Sequence, residues 1–271
     1  MPTKCDGVAR RDVRERKGPR VVARSHRQLE QPPRLNVLNK LMDPIREFGS
    51  WAGVLYIIDR AFARISPELR LFVYEIVVQP ISNKPLIPSR WIKNLVFREI
   101  ERGDPLLALM PARDDIKEQR YRQRAKCLGA FKQDKLIGYI WFANGSYEED
   151  EVKCTFVVTP VGESVFDFDL YLFPEHRMGL GFVALWNGAN EYLHGRGVKY
   201  TFSRLTRFNM ASRRAHERLG SVRVGTTIFL RLWRLEFMFA TIFPYLHLCL
   251  GTRRARLKLE PSALLEQRAA L

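Results

Sequence analysis

Cysteine is scarce. The 271 residues carry four, Cys5, Cys127, Cys154 and Cys249, with no Cys-x-x-Cys and no histidine cluster beside them. That spacing argues against a zinc site and against a disulfide framework, so reduced thiols in a cytoplasmic protein and no metal are expected. Acidic residues are also short: 29 Asp and Glu stand against 45 Lys and Arg, a formal net charge of +16. The amino end lacks an apolar core of the kind a secretory signal needs, so none is expected. The longest apolar run, Phe237 to Leu250, is short for a membrane-spanning helix and is broken by Pro244. No internal repeat is present. No aromatic-interleaved basic face or nucleic-acid motif occurs either, which argues against a nucleic-acid partner.

What is present fits one medium α/β domain with appendages. At 46% hydrophobic residues the chain can bury a sizeable core. Residues 1–34 hold ten Lys and Arg against four Asp and Glu, with Pro32-Pro33 and few large apolar residues. This segment is expected to be a disordered basic tail. Residues 35–90 are expected to form a helical and strand extension packing on the core, and 91–235 the main domain. Residues 236–271 read as an apolar segment and a basic carboxy-terminal tail.

Periodicity orders the elements. Trp51, Leu55, Ile58 and Phe62 recur at helical spacing within Asn39 to Arg64. Leu71 to Val78 is rich in β-branched and aromatic residues and ends at Pro80. Leu95 to Ile100 reads as a strand, followed by a charged helical stretch to about Lys126. Cys127 to Phe131 and Leu136 to Phe142 form a hairpin. Val152 to Val158 and Val165 to Phe173 are expected to continue the same sheet. An amphipathic helix follows Gly181, with Phe182, Leu185, Trp186, Ala189, Tyr192 and Leu193 on one face, and stops at Gly195-Arg196-Gly197. Tyr200 to Leu205 is the next strand.

The most informative stretch is Pro174-Glu175-His176-Arg177-Met178-Gly179-Leu180-Gly181. It joins a strand to a helix. Glycines there let backbone approach a phosphate, and the helix N-terminus offers unpaired N–H donors and positive dipole charge. Farther on stands Asn209-Met210-Ala211-Ser212-Arg213-Arg214-Ala215-His216-Glu217-Arg218-Leu219-Gly220-Ser221. The two segments, in this order and at this distance, resemble the GCN5-related N-acetyltransferase (GNAT) superfamily over about residues 94–232. The family has Gln or Arg where His176 stands, Tyr where His216 stands and Phe where Ser221 stands.

The resemblance implies a mixed, mostly antiparallel α+β sheet with two splayed strands, flanked by helices. It implies acetyl-CoA or another acyl-CoA as co-substrate. Backbone from Leu172 and from His176, Arg177, Met178, Gly179, Leu180 and Gly181 would hold the cofactor. Arg177 would add a charged contact, and the pantetheine arm would thread between the splayed strands. Bulk at Gly179 or Gly181 is expected to crowd the phosphate before it disturbs the core. Asn209, also a good N-cap, and Ser212 would contact the arm. His216 holds the slot from which the family protonates the CoA thiolate, and an imidazolium is suited to that step.

A base is needed for an ammonium acceptor. Asp167 and Asp169 alternate on a strand otherwise rich in Phe, Leu and Tyr, so they are expected to share one face and are the candidates. Glu148-Glu149-Asp150-Glu151 reads as an exposed loop able to attract a cationic acceptor. The apolar run before Arg253, Arg254, Arg256 and Lys258 is expected to pack on the core, to form a homodimer contact, or to lie on the inner face of a membrane through 236–258. Together these readings point to an acyl-CoA-dependent acyltransferase acting on an unidentified amine. The alternative is a non-catalytic acyl-CoA-binding or membrane-associated scaffold module.

Overall fold

The computed structural model describes residues 42–269. The expected disordered tail at 1–34 and Cys5 lie outside the described residues. After a helical stretch at 42–48, α1 (Ser50–Ile65) leads into β1 (Leu69–Pro80). A single helical turn, Ser89–Ile92, precedes β2 (Leu95–Ile100). Then come α2 (Asp114–Arg122), β3 (Lys126–Lys132), β4 (Lys135–Asn144), β5 (Ser146–Glu148), β6 (Cys154–Val158) and β7 (Ser164–Leu172). The second half holds α3 (Gly181–His194), β8 (Tyr200–Thr206), α4 (Met210–Arg218) and β9 (Val222–Leu232). It closes with β10 (Leu235–Ala240), β11 (Leu246–Cys249), β12 (Ala255–Leu259) and α5 (Ser262–Ala269).

Nine strands form one twisted sheet in the order β11-β10-β9-β1-β8-β7-β4-β3-β2. All neighbours in it are antiparallel except β7 and β8. This is the mixed, mostly antiparallel α+β architecture that the sequence implied. Local chemistry places the turns: Gln133 and Asp134 both take positive φ in the two-residue turn of the β3–β4 hairpin, the geometry whose twist suits adjoining strands. The Asn209 side chain caps α4 by accepting from the Ser212 N–H at 3.0 Å.

Two expectations are corrected. The stretch thought to pack on the core supplies β1, which sits between β8 and β9 in the middle of the sheet and is buried along nearly its whole length. β6 does not continue the main sheet. With β5 and β12 it builds a separate three-stranded sheet. Its Tyr147, Phe156 and Leu257 pack against Phe166, Phe168, Phe202 and Phe229 of the main sheet. The carboxy-terminal apolar run is strand: β10 and β11 add two antiparallel members at the sheet's edge.

The opposite face of the main sheet carries α3. Leu185, Trp186, Ala189 and Leu193 bury the predicted stripe against Ile140, Phe142 and Val165. The α4 helix is tied to the same face by Arg213, which with Arg207 binds the buried carboxylate of Glu75 on β1. Cys127, Cys154 and Cys249 are buried free thiols.

Candidate active site

The site begins where two strands part. The parallel ladder between β7 and β8 runs from Ser164–Tyr200 to Asp167–Ser203 and stops. Beyond it β7 still pairs with β4, and β8 still pairs with β1, up to Leu172 and Thr206. On the sides facing each other, residues 168–172 and 204–206 therefore have backbone groups with no strand partner. Extended amides of a ligand can pair with such groups.

A bulge sets the opening. Ile140 of β4 is faced by two β7 residues, Asp169 and Leu170, and Asp169 takes a φ of +47°. An extra residue interrupts alternation, so the two aspartates do not share a face. Asp167 points to the α3 side, where its carboxylate accepts from the hydroxyls of Thr201 and Ser203. Burial pushes its pKa up to about 7, with those two donors opposing. Asp169 points to the other side and is bound by the Arg120 guanidinium. That guanidinium lies over the rings of Trp141 and Phe168, and Asp150 takes its remaining donors. Burial raises the Asp169 carboxyl while Arg120 opposes the rise. Both carboxyls are thus raised by burial, but they differ in partner: Asp169 faces a guanidinium, whereas Asp167 faces only two hydroxyl donors.

At the open end of β7 the glycine loop turns into α3. Among the described residues, the N–H groups of Met178, Gly179, Leu180, Gly181, Phe182 and Val183 find no acceptor; the first bond of the helix is from Ala184 to Leu180. Six successive free donors at a helix start make an anion-binding concavity. Gly179 has a φ of +85° with open space around its missing side chain. Gly181 is different: a Cβ there would strike the carbonyl oxygen of His176. The expectation for bulk at Gly181 is therefore reversed, because the loop itself would be disturbed first. His176 contributes that carbonyl, and Arg177 turns back to donate from Nε to the Leu172 carbonyl at 2.9 Å, over the Tyr171 ring. Arg177 thus ties the strand end and does not point at the free donors.

Beside the loop is a hollow of about 260 Å³ lined by His176, Met178, Leu180 and Gly181, by three cations, Arg90, Lys93 and Lys132, and by one carboxylate, Glu175, which pairs with Lys135. None of the three has a carboxylate partner among the described residues. Sequence reading missed them because they come from the Ser89–Ile92 turn and the β3–β4 hairpin, far from the motif. Their only signal was positive charge, common throughout this chain.

On the far side of the opening, a cleft of about 440 Å³ lies between α1, β1, the end of β8 and the start of α4. Tyr56, Glu151, Arg204, Asn209 and Ser212 line it. The acidic run is not the exposed loop expected. Glu149 is buried, and although burial raises its carboxyl, Arg204 outweighs that and holds it below the ordinary range. Asp150 pairs with Arg120, and Glu151 accepts from the Tyr74 hydroxyl at 2.6 Å and sits 3.2 Å from Arg204. Folding neutralises most of the run and leaves Glu151 at the cleft.

His216 is also not as expected. It is 3% exposed, edge-on to the rings of Phe182 and Trp186, and its Nδ1 finds no partner. Desolvation lowers its pKa to about 4, so the imidazolium expected as acid is not the form held at neutral pH. Among the described residues, no group of three or more His, Cys, Asp or Glu side chains stands where it could hold a metal ion.

No family model matches the chain, and no curated protein matches it. Parts of the fold are similar to solved structures. One is a functionally unknown conserved protein from Staphylococcus epidermidis, with TM-score 0.40, 10% identity, and 64% of this chain and 65% of that chain covered. A tandem GNAT protein from the clavulanic acid biosynthesis pathway gives 0.38, 16%, 60% and 55%. A putative GNAT-family acetyltransferase from Novosphingobium aromaticivorans gives 0.38, 15%, 60% and 66%. The chain spans less than two thirds of the length of each of the three. A likeness of this extent does not reach function, which rests on the residues themselves.

Proposed function

We propose that this chain is an acyl-CoA-dependent N-acyltransferase that moves an acetyl group from acetyl-CoA to an amine. The observation that carries the reading is the junction of the β7–β8 opening with the six free N–H donors of residues 178–183. The pyrophosphate sits on those donors, with Arg90, Lys93 and Lys132 beside it. The pantetheine amides pair with the open sides of β7 and β8, and strand N–H groups polarise the thioester carbonyl. The amine enters from the cleft lined by Glu151, Asn209 and Ser212.

The neutral amine attacks the carbonyl carbon. A C–N bond forms, the C–S bond breaks and CoA leaves as thiolate, so no covalent enzyme intermediate is needed. The proton lost from nitrogen goes to a carboxylate, and Asp167 has the proton affinity suited to a base near neutrality. The thiolate takes a proton from solvent, while a neutral His216 still has one N–H with which to hydrogen-bond sulfur. A second reading, an acyl-CoA-binding module without turnover, is favoured by the burial of His216.

Calorimetric titration of acetyl-CoA into the wild type and a Lys93→Glu/Lys132→Glu variant tests the cradle. Binding to the wild type, weakened roughly tenfold or more in the variant, supports it. A wild type that binds neither acetyl-CoA nor longer acyl-CoAs sinks both readings. Release of CoA thiol across a panel of amines then separates the enzyme from the binding module.

A further inference from the structure

The alternation of β9, β10 and β11 leaves one face of three adjacent strands almost wholly apolar. Register makes the rows explicit. Leu71, Leu230, Phe237 and Leu248 lie side by side across four strands, as do Val73, Ile228, Phe239 and Leu246. Leu232 and Leu235 form a third row with Leu69. Along the second row exposure climbs from 0% at Val73 to 46% at Phe239 and 62% at Leu246. The rows are buried where α1 packs on β1, and they emerge into solvent toward the edge of the sheet.

Strands usually place polar residues on a wet face. Here, the exposed apolar side chains of the patch amount to roughly 600 Å², at the upper end for the largest patch on an ordinary monomer.

Two further features accompany the face. The hairpin tips at either end of β10 carry the most exposed aromatics of the region: Trp233 at one, Phe243 (75%) and Tyr245 (65%) at the other. Aromatic rings of this kind favour the boundary between headgroups and acyl chains. Around the face stand Arg64 at the end of α1, Arg223 at the start of β9 and Arg253 just past β11, all exposed and without a carboxylate partner among the described residues. The exposed Glu68, just before β1, is set against them. A chain of net charge +16 opposes its own second copy and is drawn to an anionic surface.

We infer that the β9–β10–β11 face docks on an anionic lipid surface, with Phe243, Tyr245 and Trp233 at headgroup depth and the arginines on lipid phosphates. Within the sheet the backbone is already paired, so only the outer edge of β11 needs water or headgroup partners. No helix among the described residues is long and apolar enough to cross a membrane. Docking of this face does not depend on the acyltransferase reading.

Flotation of the full chain with vesicles tests it, using phosphatidylcholine alone or mixed with phosphatidylglycerol at roughly 7:3. The wild type should float with the anionic vesicles and at least about fivefold less with neutral ones. A Phe239→Ser/Leu246→Ser/Leu248→Ser variant should lose roughly tenfold or more of that partition while its circular dichroism stays unchanged. Because those side chains are exposed, loss of fold is not expected. An Arg223→Glu/Arg253→Glu variant, with the apolar face intact, should lose only the preference for anionic lipid. Equal flotation on both vesicles, or none, overturns the proposal. So does a wild-type dimer in light scattering that ignores vesicles and becomes monomeric in the triple-serine variant, which would assign the face to a second copy.

Discussion

Asp167 and Ser203 form the last rung of the parallel ladder, and the Ser203 hydroxyl donates to the Asp167 carboxylate at 2.6 Å. The pair sits at the apex of the opening. Two hydroxyls do not replace the hydration that a buried carboxylate loses, and so its pKa rises to about 7. Between about pH 4 and pH 7 the folded chain then binds a proton that the unfolded chain has released. Stability falls as pH rises through that window and stays low above it. Asp167→Asn keeps the shape and removes the charge. At pH 8 the variant should be more stable than the wild type by a few kcal/mol, because each tenfold change in proton affinity is worth about 1.4 kcal/mol. The gap should close toward pH 4. Urea midpoints at both ends of the range check this. If Asp167 is the base, the same variant still binds acetyl-CoA but loses turnover.

Glu75 holds two arginines at once, Arg207 and Arg213, and is buried between β8 and β9. Glu75→Gln leaves both guanidiniums without their countercharge. The expected cost is about 3–5 kcal/mol, the usual penalty for breaking a buried pair from one side. Arg213→Ala, which removes one of two cations, should cost less. The pair of denaturation curves orders the two effects, and the reverse order would mean that α4 is not anchored through Glu75.

Much of this arrangement was legible in the sequence. Leu95–Ile100 and Gly181–His194 take the predicted bounds, because period and breakers agree there. Asn209 caps α4 as its residue type and position promise. What was hidden is non-local. Nothing in Leu69–Pro80 says that it will enter between β8 and β9, since strand order is decided by pairing partners far along the chain. A one-residue bulge at Asp169 reverses the facing of a carboxylate, and periodicity has no means to register it. The acidic run looked solvated until Arg120 and Arg204, remote in sequence, arrived to pair with it.

The two glycines of the loop should fail differently. Gly179→Ala places a Cβ in open space but on a left-handed backbone, costing about 1 kcal/mol. Gly181→Ala drives a Cβ against the His176 carbonyl and forces the loop to move, costing about 1–3 kcal/mol. Acetyl-CoA affinity should fall more for Gly181→Ala, because the free donors shift with the loop. Equal affinities for the two variants would disconnect the loop from the cofactor.

His216 offers the sharpest separation of structure from chemistry. Its ring is packed edge-on to Phe182 and Trp186, and desolvation holds its pKa near 4, below the unfolded value of 6.5. From pH 6.5 down to about pH 4 the unfolded chain therefore binds a proton that the folded chain refuses, and stability falls as pH falls. His216→Phe fills the site with a ring that cannot charge. Its stability should match the wild type at pH 7 to within about 1.5 kcal/mol, and should not show the wild type's decline toward pH 4. Activity then decides the role of the histidine. If the neutral N–H supports the departing sulfur, turnover drops at pH 7 while acetyl-CoA binding is kept. If turnover is unchanged, the ring is packing alone, and the thiolate draws its proton from solvent.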